Sequence, residues 1–175
     1  FLEMKQMFKL SRRSLDRLEG VDERLQAVAK QAISLTKTDF GVIQGIRTLE
    51  EQKELVAKGA SKTMKSLHLD GKAIDIMAYI NSRASWELNL YDDLADAIKE
   101  AAKIVGVPIR WGAAWHIDDI RKWNGGSHTY ELSNGKELTK HYSSSMEDAM
   151  NYYIDIRRSQ SRRPFIDGPH FEIRE

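Results

Sequence analysis

The sequence predicts an α+β fold: a small antiparallel sheet with helices packed on one side. Three observations carry this expectation. Amphipathic runs of helical period stand at about 22–33 and 91–105. Short segments of alternating character stand between and after them. The two kinds of element do not follow one another in the strict series that a parallel βαβ sheet requires.

Asp22 precedes Leu25, Val28, Ala29, Ala32 and Ile33, spaced i, i+3, i+4, i+7, i+8, which predicts a helix with one buried stripe. Phe40 to Ile46 is rich in β-branched residues and reads as a strand. Thr48 with Glu51 is a capping-box signature for a short helix ending at Gly59. Ala73 to Met77 reads as a strand. A helix from about Tyr91 to Val105 carries Leu94, Ala95, Ile98, Ala101 and Ala102 on one side, and Gly106 and Pro108 stop it. Ile109 to Trp111 reads as a short strand. Asn124-Gly125-Gly126 and Ser133-Asn134-Gly135 are turn signals that flank a small hairpin. Ser145 and Asp148 open a helix running to about Ser161, and Gly168 to Ile173 closes the chain as a strand.

The 175 residues suit one domain with a sizeable core. A net charge of +1 argues against nucleic-acid binding driven by bulk charge. With no cysteine in the chain, a metal must be held by His and carboxylates. No run approaches the apolar length of a membrane span. The run from Phe1 to Met7 lacks the features of a signal peptide, so synthesis in a cytoplasm is expected.

Chemistry concentrates in three places. In Ser66-Leu67-His68-Leu69-Asp70-Gly71-Lys72-Ala73-Ile74-Asp75, His68 and Asp75 are good zinc ligands. Strand alternation turns Asp75 away from the apolar face made by Ile74 and Ile76. In Asp167-Gly168-Pro169-His170-Phe171-Glu172, alternation again separates His170 and Glu172 from Phe171 and Ile173. Two His and one carboxylate make a catalytic type of zinc set, with one position open for water. Arg47, at a strand end after Gly45, suits stabilisation of an oxyanion.

Gly-x-Arg-Thr-x-x-Glu-Gln, then Ser-x-His-x-x-Gly-x-Ala-x-Asp, then Asp-x-Pro-His-Phe-Glu resembles the D-Ala-D-Ala carboxypeptidase and VanY superfamily. Within it, the chain looks closest to phage endolysins of the L-alanyl-D-glutamate peptidase type. The resemblance runs from about Leu25 to Trp115 and resumes over the last ten or so residues. It implies a hedgehog-like sheet carrying Zn2+ on His68, Asp75 and His170. It also implies Asp167 as the catalytic carboxylate, Arg47 as the group that polarises substrate, and Ser66 in support. The implied substrate is the L-Ala–D-Glu bond of the peptidoglycan stem, with a D,D- or L,D-carboxypeptidase as the alternative enzyme. A zinc-containing wall-binding module without catalysis is the alternative of another class. A monomer is expected, released from the host cytoplasm to act on periplasmic murein.

Each residue also has a plainer reading. Asp167 can cap the turn before Pro169, Arg47 can be a surface ion-pair partner, and Glu172 can be a solvated strand residue or a partner of a ligand His. His116, His128 and His141 lack ligand-like spacing and read as surface residues. Trp111, Trp115 and Trp123 can floor a groove, but at least one belongs in the core. Arg157, Arg158, Arg162 and Arg163 sit at a helix C-terminus, where positive charge favours the macrodipole. The segment from about 114 to 164 is expected to be an elaboration that rims the cleft and supplies no zinc ligand.

Overall fold

A computed structural model describes residues 7–61 and 63–174. The N-terminal run read above lies outside these residues up to position 6. The elements, in chain order, are α1 (Arg12–Leu18), α2 (Glu23–Leu35), β1 (Asp39–Gln44), α3 (Leu49–Ala57), β2 (Ala73–Ile80) and β3 (Arg83–Ser85). There follow α4 (Leu88–Val105), β4 (Ile109–Trp111), β5 (Gly126–Glu131), β6 (Glu137–Tyr142), α5 (Met146–Ser159) and β7 (His170–Ile173). Two short 3₁₀ helices, Leu67–Asp70 and Ile120–Lys122, lie in the connections.

The main sheet has the order β1-β2-β7-β4, with β3 added beside β2, and every pairing is antiparallel. β5 and β6 form a separate hairpin. Alternation sorts the sheet as expected. Ile74 and Ile76 of β2, Phe171 and Ile173 of β7, and Ile109 and Trp111 of β4 are buried. They share one core cluster with Leu25, Val28 and Ala32 of α2 and with Leu94, Ile98 and Ala102 of α4. Each buried Val, Leu or Ile among them contributes about 1.5–3 kcal/mol by leaving water. Asp75 and His170 stand on the opposite parity of their strands, away from this core.

Local signals account for most boundaries. Asp22 caps α2 by accepting from Arg24 N. Thr48 Oγ1 accepts from Glu51 N at 3.1 Å and also bonds the Glu51 carboxylate, so the capping signature holds. Gly106, at φ 83°, ends α4 in a left-handed turn that only glycine adopts without strain. Ser145 caps α5, and Arg157 and Arg158 occupy its last turn.

Several features differ from the sequence reading, among them that β2 runs on to Ile80, past Met77. β1 stops at Gln44 because the register shifts between Val42 and Gln44, which carries Gly45 out of the sheet. α4 begins at Leu88, one turn earlier than expected, after a Glu87 cap that makes no side-chain hydrogen bond. α1 and β3 are new. α1 is a single short amphipathic piece, and the three residues of β3 carry no strand pattern. Among the described residues, no helix is long and apolar enough to cross a membrane.

Candidate metal centre and active site

The site is assembled from the ends of the central strands. β2 pairs with β7 so that Asp75 lies opposite His170. This brings together residues 95 positions apart in the chain, and His170 Nδ1 lies 3.1 Å from Asp75 Oδ1. His68 arrives from the 3₁₀ helix just before β2. Ser66 caps that helix by accepting from His68 N at 3.2 Å. Gly71 closes it at φ 68°. A side chain there would meet Gly20 O, so both the turn and its packing favour glycine.

The two imidazoles are oriented from behind. His68 Nδ1 lies 2.9 Å from Gly45 O. A carbonyl only accepts, so the proton sits on Nδ1 and the Nε2 lone pair points into the site. That Nε2 is buried and has no hydrogen-bond partner, 3.4 Å from Asp75 Oδ1. His170 Nε2 lies 2.9 Å from Glu172 Oε1, which leaves Nδ1 facing inward. A carboxylate behind a ligand imidazole is the usual support of a metal-binding His. Glu172 is buried, so the solvated-strand reading of it does not hold.

His68, Asp75 and His170 each offer a ligand atom, all within 4.8 Å of one another, and this is the cluster able to hold a metal ion among the described residues. The contact distances of 3.1 and 3.4 Å suit the geometry, since ligands around a tetrahedral zinc stand roughly 3.3–3.5 Å apart. The buried, partnerless Nε2 of His68 fits the same group: a lone pair withdrawn from water needs an acceptor of electrons. Burial pushes the Asp75 carboxyl up, but the His170 hydrogen bond and the neighbouring His68 outweigh it and hold it well below the usual carboxylate range.

Arg47 and Asp167 flank this cluster. Arg47 N donates to His68 O at 2.8 Å, and Arg47 Nη2 lies 3.9 Å from Asp75 Oδ2. Its side chain is largely buried, so the surface ion-pair reading fails. Asp167 sits in the loop before β7. Its backbone N donates to Gly112 O at 2.8 Å and its O accepts from His170 N at 3.1 Å. A side chain at Gly112 would collide with the Asp167 carbonyl. Burial raises the Asp167 carboxyl above its ordinary range, the Asp75 charge adds to this, and His170, His68 and Arg47 oppose it.

The elaboration meets the site at one wall. The Trp115 ring stands 5.6 Å from His170 and 6.2 Å from Phe165, with the Arg110 guanidinium 5.2 Å over it. Trp111 is wholly buried and Trp123 nearly so. His116 packs against Trp123, Tyr152 and Tyr153, and His128 against Tyr130 and Tyr152. His141 is exposed on β6. None of these three joins the ligand cluster.

Sequence reasoning left Gly112 and Gln52 without a role. Gly112 carries no signal in the chain, because its need for a bare Cα comes from a partner 55 positions away. Gln52 stands in a recognised motif, and its full burial is visible only in three dimensions.

Comparison with known proteins points to one family. The family model of the phage L-alanyl-D-glutamate peptidases matches residues 6–136. The L-alanyl-D-glutamate peptidase of Escherichia phage T5 is 35% identical over 130 residues, covering 68% of this chain and 95% of that protein. A Listeria phage peptidase of the same description is 28% identical over 106 residues, and the match takes in 37% of its length. The crystal structure of Serratia marcescens L-Ala D-Glu endopeptidase ChiX superposes with a TM-score of 0.64 at 25% identity, covering 99% of this chain and 95% of ChiX. The chain belongs to the phage L-alanyl-D-glutamate peptidase family.

Proposed function

We propose that the protein is a zinc-dependent peptidoglycan peptidase of the VanY superfamily that hydrolyses the L-Ala–D-Glu bond of the murein stem peptide. The observation that carries this reading is the convergence of His68, Asp75 and His170 on one point, with Asp167 and Arg47 beside it, in a chain of this family. The fold forms one catalytic domain, with the segment from about 114 to 164 as an elaboration that rims the cleft. The protein acts as a monomer on periplasmic murein.

His68 through Nε2, His170 through Nδ1 and a carboxylate oxygen of Asp75 would hold the metal. A zinc ion there supplies a Lewis acid and lowers the pKa of water at its open position. Asp167 takes a proton from the attacking water and returns it to the leaving amine. Its raised pKa brings it nearer to the working pH than an ordinary Asp, which suits a group that must both accept and donate. Arg47, held beside Asp75, places positive charge where the oxyanion develops. Ser66 fixes the backbone of His68 and has its hydroxyl 3.5 Å from Arg47 Nη1.

Mass spectrometry of purified murein digested with the zinc-loaded protein tests the reading. The expected products carry a new L-Ala carboxyl terminus and a new D-Glu amine. Release of the terminal D-Ala instead would make the protein a carboxypeptidase. Intact murein with zinc bound would make it a binding module.

A further inference from the structure

Gln52 is fully buried on α3, yet it is polar and carries no part of the reaction described above. Its amide is completely used. Oε1 accepts from Arg47 Nη1 at 2.6 Å. Nε2 donates to Ser61 Oγ at 2.9 Å and also to Thr63 O. Arg47 offers only donors and Thr63 O only accepts, so the orientation of the amide is fixed by chemistry. Arg47 itself has few other anchors. Ser66 Oγ is 3.5 Å away, Asp75 Oδ2 is 3.9 Å away, and the buried Nε has no partner.

We infer that Gln52 is the positioning residue for Arg47, a neutral acceptor that aims the guanidinium at the site without spending its charge. This rests on the reading of Arg47 as the group that stabilises the oxyanion. The amide both donates to Thr63 O and leaves the charge of Arg47 free for that task. A Glu at 52 could still accept from Arg47, through a charge-assisted bond, but its second oxygen would face Thr63 O, where Gln52 Nε2 now donates. It would also cancel part of the positive field that the developing oxyanion must feel. Gln52 in turn is tied to residues 61 and 63, on the loop that leads to Ser66 and His68, so Arg47 and the ligand His68 are set from one frame.

The test uses the full zinc-loaded chain with Gln52→Met, which keeps the length and packing of the side chain, and Gln52→Glu. Two quantities are read: steady-state cleavage of a soluble stem peptide, and the guanidinium NMR signals of Arg47. Gln52→Met is expected to lower kcat about 10–100-fold with KM and zinc content little changed, as misplacement of a catalytic group does. Its Arg47 signals should show faster guanidinium rotation. Gln52→Glu keeps the acceptor for Arg47 but gives up the donor to Thr63 O, so it is expected to slow guanidinium rotation relative to Gln52→Met without restoring kcat; the Arg47→Ala background separates this from a merely structural role. In an Arg47→Ala background, Gln52→Met should cost nothing further. An equal loss of kcat in both backgrounds, or full activity of Gln52→Met where Arg47→Ala is impaired, overturns the inference. Wild-type activity in Arg47→Ala instead overturns the reading of Arg47 on which it rests. Should Gln52→Met not fold, Gln52→Glu is read in both backgrounds: wild-type kcat, or an equal loss with and without Arg47, overturns the inference.

Discussion

With no metal bound, His170 is the group of the cluster inclined to hold a proton on both ring nitrogens. Both its ring nitrogens face carboxylates, Asp75 at 3.1 Å and Glu172 at 2.9 Å. Burial pulls its pKa down, but those two hydrogen bonds and the charges of Asp75 and Asp167 raise it to about 9. The folded value lies above that of an ordinary His, roughly 6.5. In the metal-free protein the group therefore contributes stability that is complete below about pH 6.5 and is lost as pH rises through about 9. Zinc binding at pH 7 should release this proton. Calorimetry in two buffers of different ionisation enthalpy checks it: heats that differ between buffers are expected, and equal heats would show a ring already neutral. Glu172→Gln should reduce the proton release and weaken zinc binding about 10–100-fold.

Asp167 allows chemistry to be separated from metal binding at a single atom. Asp167→Asn keeps the size and the turn-forming character of the side chain but cannot take a proton. Zinc content and fold should survive while turnover falls by about 10²–10⁴. Near-normal hydrolysis by the zinc-loaded variant would reduce Asp167 to a turn residue. Much of the candidate site was legible because ligand types, turn residues and strand alternation coincide within ten positions around His68 and six around His170. The supporting residues were not legible in that way. Glu172 has two plausible fates on any strand, and only the register of β7 against β2 and β4 decides that it is covered. Gly112 serves a neighbour far away in the chain.

Helices α2 and α4 were readable because each carries both a periodic apolar stripe and a recognisable end, and α5 was readable from its capping Ser145. α1 has seven residues, too few to show a period, and β3 has three. The weak point of the helical layer lies on α4. Asp92 is 6% exposed, and its Oδ1 has no hydrogen-bond partner. Burial raises its pKa to about 7, and Glu147 of α5 and Asp93 and Asp96 of α4 add to the shift. The nearby Asp96 is committed elsewhere, accepting from Met146 N at the start of α5. For a carboxyl with a raised folded pKa, the protonated form favours the fold. Stability is therefore greatest below about pH 4, near the ordinary Asp value, and falls as pH rises to about 7, with the full loss present above it. Asp92→Asn should thus melt above the wild type at pH 8, with the gap closing towards pH 4. Thermal unfolding at the two pH values measures this. An Asn variant less stable at pH 8 would show that the carboxylate has a favourable partner after all.

At the scale of the whole molecule, the sheet that carries the His68, Asp75 and His170 cluster is distinct from the segment between β4 and β7. β5 and β6 share no pairing with the main sheet; Ser133-Asn134-Gly135, read above as one flank of a hairpin, is instead the turn at its tip, between the two strands. What the chain could not announce is how that hairpin is moored. Lys99 of α4 is buried, and its ammonium donates to Trp123 O at 2.7 Å and to Ser144 O at 2.9 Å. These carbonyls lie just before and just after the hairpin, so both of its feet stand on one charged group. The phage T5 relative matches 95% of its own length but 68% of this chain, while ChiX matches 99% of it, so part of this chain lies outside what the phage enzyme shares. Replacing residues 126–142 by a short glycine-rich turn should therefore leave the feet on Lys99 and the ligand cluster intact. The shortened protein, with His116→Ala added, lacks every His of the elaboration. One equivalent of zinc and near-normal cleavage of a soluble stem peptide are expected, with any loss confined to intact murein, where the rim meets a large substrate. Zinc content by metal analysis is the decisive reading. If the metal leaves with the hairpin, a residue of the elaboration completes the site, and the assignment of His68, Asp75 and His170 as the sole protein ligands is wrong.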